Sequence, residues 1–234
     1  GQFCTNPGLM IFQNQDNNFL QLLKTAFEKT TGGVMLTPNI LDSYNSGVHQ
    51  HLTTEGVEQL AISGTSAVDV ANLAVPVLLK TSGKVLDNNP ALSEEIFGPT
   101  GMVVSASSKK EMLAIAENLS GHLTATVHGT EDELIGYRQL LEVLDQKAGR
   151  VVINGFPTGV EVGNAMVHGG PFPSTTDCRT TSVGTAAIYR FTRPVCYQNM
   201  PQQLLPPALR DKNVLNIYRL INGDWSTKDI ARMT

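Results

Sequence analysis

The sequence predicts an α/β domain with a mostly parallel sheet covered by helices. Three observations carry that expectation. Between residues 75 and 154, strand and helix patterns alternate with short connections, which is the signature of right-handed βαβ units. The runs Val75-Pro76-Val77-Leu78-Leu79, Gly101-Met102-Val103-Val104 and Val151-Val152-Ile153 are nearly continuous in apolar residues, as strands buried on both faces are. Of 234 residues, 41% are hydrophobic and 16% charged, enough apolar material for a sizeable core in one large domain, or one domain with an extension.

The elements follow in order. Residues 1–15 read as loop, with Asn6-Pro7-Gly8 as a turn signal. Asp16 is placed to cap a helix whose apolar stripe is Phe19, Leu20, Leu22, Leu23, Ala26 and Phe27, ended by Gly32-Gly33. Thr37-Pro38 opens a second helix, with Ile40, Leu41, Tyr44 and Val48 at helical spacing. Residues 56–62 form a short segment before a Gly64-Thr65-Ser66 turn. Strands are expected at 75–80 and 102–106, then a helix over 108–119 capped by Ser107 or Ser108, then a strand at 123–128. Thr130 caps a helix through Leu134, Tyr137, Leu140, Leu141 and Leu144 to Gly149, and a strand follows at 151–154. Residues 155–185 are rich in Gly, Pro, Thr and Ser, and a stretch of that length in a compact domain is usually a functional loop. Past residue 192 the chain reads as an extension. Pro194, Pro201, Pro206 and Pro207 oppose regular helix until about Asn213, and 194–199 reads as extended.

Composition excludes several classes of function. The net charge is −4 and no basic tract appears, so a nucleic-acid footprint is absent. No apolar run approaches the roughly 20 residues needed to span a bilayer, so no membrane partner is expected. Cys4, Cys178 and Cys196 are an odd count with no CxxC pairing, which favours a reducing, cytoplasmic compartment over a disulfide framework. No Cys/His group has zinc-site spacing, and no metal is expected. No GxGxxG, Walker A or GxSxG is present, so a dinucleotide would need a further segment to bind it.

Four places carry chemistry. In Gly1-Gln2-Phe3-Cys4-Thr5-Asn6-Pro7-Gly8, a cysteine precedes a polar residue and a turn that leaves its backbone N–H free to face a bound oxygen. The competing reading is a buried structural cysteine, and no neighbouring base speaks for a papain-like pair. Glu94-Glu95-Ile96-Phe97-Gly98-Pro99 offers a carboxylate for sugar hydroxyls and an aromatic for a flat ring, or else a solvated loop with a packed Phe. His168 in His168-Gly169-Gly170-Pro171-Phe172 is a proton shuttle, a pocket wall or a loop histidine with a local bond. His49 and His51 diverge on a helix and read as surface residues rather than metal ligands. Cys178 and Cys196 have no reactive surroundings and read as structural or incidental.

Together these pieces resemble the aldehyde dehydrogenase superfamily. GQFCTNPG is similar to its nucleophile motif, EEIFGP to its second signature, and VHGGPF to the loop where many members carry Phe-Gly-Gly. Order and spacing also fit, with 91 residues from Cys4 to Glu95 and 73 more to His168. The stretch from Gly149 to Val195 resembles the branch of 2-oxoglutarate semialdehyde and NADP-dependent fatty-aldehyde dehydrogenases.

The resemblance implies a three-layer catalytic domain over 1–192, an extension over 193–234 whose segment 194–199 pairs with a neighbouring subunit, and hence a homo-oligomer. It implies that Cys4 attacks the aldehyde, with its N–H as half of the oxyanion hole. Glu95 would hold the nicotinamide ribose of NAD or NADP, with Phe97 beside the nicotinamide. Phe3, Phe156 and His168 would line the substrate tunnel, and His168 would make it more polar or serve as proton partner to Cys4. The cofactor domain, the oxyanion-hole asparagine and the water-activating glutamate precede the cysteine in that family. The expectation is therefore the catalytic half of an NAD(P)-dependent aldehyde dehydrogenase, inactive by itself. A non-catalytic scaffold keeping the fold, or a cofactor-independent thiol esterase using Cys4, are the alternatives.

Overall fold

A computed structural model describes residues 2–13, 17–64, 70–157 and 159–231. In chain order the elements are β1 (Leu9–Gln13), α1 (Asn17–Lys29), β2 (Gly33–Val34), α2 (Pro38–Leu52), β3 (Glu58–Ile62), β4 (Leu73–Ala74), β5 (Val77–Ser82), α3 (Gly83–Asn88), β6 (Thr100–Ala106), α4 (Lys109–Asn118), β7 (His122–Val127), α5 (Glu131–Gly136), α6 (Arg138–Lys147) and β8 (Ala148–Ile153). These lie in one compact unit, residues 1–190. The cap expected at Asp16 and the turn residues Thr65 and Ser66 lie outside the described residues.

The main sheet has the order β1-β6-β5-β3. β6 runs parallel to both β1 and β5, and β3 pairs antiparallel to β5. The sheet is therefore mixed and mainly parallel, as the apolar runs predict. Its faces follow the alternation of a pleated strand. Val77, Leu79, Met102 and Val104 enter a core with Tyr44 and Val48 of α2, Leu86 of α3 and Ile115 of α4. Leu78 and Val103 enter a second core with Leu20 of α1 and Ala61 of β3. Helices thus cover both faces, giving three layers. Truncating a fully buried residue such as Leu78 to Ala in such a core costs about 2–5 kcal/mol.

Three expectations need correction. Residues 9–13, read as loop, form β1, because Leu9, Ile11 and Phe12 find apolar partners only when the chain lies along β6. The single helix from Thr130 to Gly149 is two, α5 and α6. Thr130 and Glu133 make a reciprocal capping box at the start of α5, and the helix closes at Tyr137. Gly149 belongs to β8 rather than to a helix end. Strands β7 and β8 also pair only with one another among the described residues, as a separate two-stranded parallel sheet, instead of extending the main sheet.

Thr37, at the expected start of α2, and the expected caps Ser108 and Thr130 each accept a backbone N–H, from Ile40, Glu111 and Glu133 respectively. From Asn154 to Gly184 the described residues hold neither helix nor strand. That long loop is pinned to β8 by contact between glycines. A Cβ at Gly149 would overlap the Gly169 carbonyl, and one at Gly170 would overlap the His122 carbonyl. Only glycine allows backbone to approach this closely.

The second unit, residues 191–234, is built around Arg219. Its guanidinium donates to the carbonyls of Arg210, Asp211 and Lys228. A two-stranded hairpin, β9 (Arg219–Ile221) and β10 (Asp224–Ser226), turns through Asn222-Gly223, both left-handed. The structure gives a hairpin, not helix, beyond Asn213. Residues 192–198 have no regular secondary structure and residues 193–198 are exposed. No helix among the described residues is long and apolar enough to cross a membrane.

The Gly149 contact predicts a position-specific cost. Gly149→Ala should lower stability by about 1–3 kcal/mol through overpacking, read from the urea unfolding midpoint. Gly136→Ala, where a Cβ meets nothing within 4 Å, should be neutral or mildly stabilising. Equal midpoints for the two variants would contradict the account of the loop anchor.

Candidate active site

Cys4 sits in a short turn in which the Asn6 N–H donates to the Phe3 carbonyl at 3.1 Å. Both ends of the turn are fixed. The Gln2 amide donates to the Val34 carbonyl and accepts from the Leu36 N–H, each at 3.1 Å. Thr5 is buried and its hydroxyl donates to the Pro157 carbonyl at 3.0 Å. Downstream, the Met102 N–H donates to the Gly8 carbonyl at 2.8 Å and starts the β1–β6 ladder. Cys4 itself remains exposed, and its N–H makes no hydrogen bond among the described residues. It is a reachable thiol on a held backbone.

His168 faces it. The Cys4 Sγ lies 3.3 Å from His168 Nε2, across 164 residues of sequence. The histidine's backbone is fixed in both directions. Its N–H donates to the hydroxyl of buried Thr181 at 2.8 Å, and its carbonyl accepts from the Ser182 N–H and hydroxyl at 3.0 Å each. The other ring nitrogen, Nδ1, is buried with no partner among the described residues. Burial first, and the charge of Arg150 second, hold the imidazole below its ordinary pKa. Both effects oppose a positive charge on the ring and so favour its neutral form.

EEIFGP leads into β6, and the parallel β1–β6 register sets Leu9 beside Met102. The segments preceding the two strands, one bearing Cys4 and the other Glu95, therefore lie at the same end of the sheet. Ile96 packs on α2 at Gly47, while Gly98 lies against the ring of buried Tyr44, leaving no room for a Cβ. The Tyr44 hydroxyl donates to the Val75 carbonyl at 2.6 Å, and burial pushes its pKa well above the ordinary phenol range. With Ile96 inward, Glu95 and Phe97 are both exposed. Neither has a hydrogen bond or ring contact to Cys4 or His168 among the described residues.

The other predicted residues are placed as follows. Phe3 is 62% exposed beside Cys4. Phe156 is 78% exposed, with its ring 5.7 Å from that of His128. Asn154, left-handed at the end of β8, clamps the Gly129 N–H and carbonyl with its side chain and holds that corner. Cys178 and Cys196 are exposed and free. His51 is a correction. It is buried in α2, with Nε2 3.4 Å from the Ala91 carbonyl, because the helix turns it inward beside Val48 while His49 faces out. Among the described residues no group of three or more His, Cys, Asp or Glu side chains forms a metal cluster.

Sequence reasoning passed over Thr5 and Arg150, which donate to loop carbonyls at Pro157 and Gly159, and Thr181, which accepts the His168 N–H. Arg150 left a signal, being a charged residue immediately before the apolar run Val151-Val152-Ile153.

Comparison with known proteins decides the family. The profile of the aldehyde dehydrogenase family matches residues 1–194. The chain belongs to the aldehyde dehydrogenase family. It is similar to alpha-ketoglutaric semialdehyde dehydrogenase of Acinetobacter baylyi, 45% identical over 226 residues that cover 95% of this chain and 43% of the relative. The chain thus spans about two fifths of the length of the curated relatives it matches. Among solved structures, succinic semialdehyde dehydrogenase from Streptococcus pyogenes in complex with NADP+ aligns with TM-score 0.59 and 21% identity, over 73% of this chain and 37% of that one. PnpE in complex with nicotinamide adenine dinucleotide aligns with TM-score 0.67 and 23% identity, over 82% and 39%. Identities this low carry the fold, an α/β aldehyde dehydrogenase architecture.

A pH dependence follows from His168 and from His122, whose pKa is also lowered, by burial first and then by Lys147. In each case the folded pKa lies below the unfolded value of about 6.5. The unfolded chain therefore binds the extra protons, and the stability present above that value is lost as pH falls through the folded pKa. The urea midpoint should drop between about pH 7 and pH 5, with a smaller drop in the His122→Gln, His168→Gln double variant. NMR titration of His168 at or above the ordinary histidine value would contradict this.

Proposed function

We propose that this chain supplies the nucleophile-bearing part of an NAD(P)-dependent aldehyde dehydrogenase acting on a semialdehyde such as 2-oxoglutarate semialdehyde. The observation that carries the reading is the Cys4–His168 contact at 3.3 Å. The likeness to alpha-ketoglutaric semialdehyde dehydrogenase, at 45% identity, supports that substrate over a fatty aldehyde.

The chemistry begins at sulfur. The thiolate is the attacking species. A neutral imidazole at Nε2 accepts the Cys4 proton as the S–C bond forms, and the thiohemiacetal results as its oxyanion. The Cys4 N–H donates to the developing oxyanion. Glu95 and Phe97 suit a nicotinamide nucleotide, NAD or NADP. Their exposed carboxylate and ring stand at the sheet end where Cys4 lies, matching ribose hydroxyls and a flat ring. When bound, that cofactor supplies the hydride acceptor that turns the thiohemiacetal into a thioester. Water then releases the acid. Phe3 and Phe156, both exposed, serve as apolar walls for the aldehyde. The exposed stretch 193–198 supports subunit pairing through 194–199 in a homo-oligomer.

All three cysteines are exposed, so accessibility alone does not favour Cys4. Brief iodoacetamide treatment near pH 7.5 should nevertheless alkylate Cys4 about tenfold or more faster than Cys178. His168→Ala should abolish most of the difference, since positioned proton transfer contributes factors of about 10² or more. These 234 residues by themselves should give no aldehyde-dependent NAD(P)H. Peptide mass spectrometry showing equal labelling, or robust NAD(P)H production, would contradict the proposal.

A further inference from the structure

Arg150 lies on β8, and its guanidinium spreads across the start of the long loop. Nη2 donates to the Pro157 carbonyl at 2.6 Å and Nη1 to the Gly159 carbonyl at 3.0 Å. Nη1 also approaches the Met166 sulfur at 3.8 Å, two residues before His168. The Pro157 carbonyl is shared, because it also accepts the hydroxyl of Thr5, the residue after Cys4. One carbonyl thus joins the strap on the loop to the turn that bears the nucleophile. Both terminal nitrogens are taken by backbone oxygens, so Arg150 is not offered as a site for a substrate carboxylate.

We infer that Arg150 is a positioning residue for the Cys4–His168 pair, fixing Cys4 through the Pro157–Thr5 link and the loop that carries His168 through its contacts with Pro157, Gly159 and Met166. The inference rests on the reading of Cys4 and His168 as the reacting pair. A planar guanidinium suits the task because its fork spans two carbonyls at once, whereas an ammonium is a point donor. Its charge has a second consequence. Cys4 faces Nε2 of His168, and Arg150 is the cation bearing on the ring, so removing it favours protonation. The arginine therefore links geometry and protonation state, and the two can be separated. Arg150→Lys keeps the charge and loses the fork, while Arg150→Met loses both.

The test measures, in this chain, the Cys4-to-Cys178 alkylation ratio between pH 5.5 and 8 and the titration of His168 by NMR. Thermal unfolding identifies variants that remain folded. Arg150→Lys should lower the labelling ratio severalfold without moving the His168 titration. Arg150→Met should lower the ratio about as much and move the titration upward. If Arg150→Met does not fold, Arg150→Gln takes its place with the same expectation. A labelling ratio and a titration both unchanged by loss of the charge would overturn the inference. So would a ratio that falls in Arg150→Met but is unchanged in Arg150→Lys, since that would leave the fork without a role. His168→Ala distinguishes the two levels. If it leaves the ratio unchanged in the parent chain, the reading of the pair itself has failed.

Discussion

The site depends on backbone meeting backbone without a side chain between. The start of β8 at Gly149 and the loop at Gly169 and Gly170 touch where a Cβ would clash. That contact returns the chain to β8 about fifteen residues after the strand ends, midway along a stretch in which the described residues have no regular structure. It leaves His168 one residue from a fixed point, and the bonds to Thr181 and Ser182 remove the remaining freedom. Loop ordering is expensive in conformational entropy. Here it is offset by close backbone packing and satisfied carbonyls, not by apolar burial. The result sets an imidazole against a thiol that lies 164 residues away in sequence.

The parallel sheet performs the other half of the assembly. Because β1 and β6 run in the same direction and in register, the turns that lead into them emerge together. The Cys4 turn and the EEIFGP segment are brought to one end of the sheet by strand pairing. Tyr44 then holds the second segment, with its ring under Gly98 and its hydroxyl on the Val75 carbonyl. Glu95 and Phe97 face outward as a consequence of Ile96 facing inward. The two sets of residues reach the same end of the sheet without any direct bond between them.

Much of this was legible in the sequence where local chemistry decides structure. Caps at Thr37, Ser108 and Thr130 specify their helices, and the apolar runs at Val77–Leu79 and Met102–Val104 specify strands buried on both faces. Cys4 and His168 stood out by residue type and motif. What was not legible depends on distant partners. Leu9–Gln13 becomes a strand only beside β6, and Gly149 looks like a helix stop until Gly169 is seen against it. Arg150 follows the same rule, since its two carbonyls belong to a loop whose path no local pattern specifies. The hairpin at Asn222-Gly223, by contrast, carried a readable turn signal that the prolines before it obscured.

In the proposed reaction Cys4 carries the substrate as a covalent adduct. The most direct measurement is a rapid acid quench of the intact protein bearing this chain, mixed with NAD+ or NADP+ and 2-oxoglutarate semialdehyde, followed by peptide mass analysis. One acyl increment is expected on the peptide containing Cys4, and none in Cys4→Ala. An increment on another side chain, or turnover preserved in Cys4→Ala, would contradict the proposal.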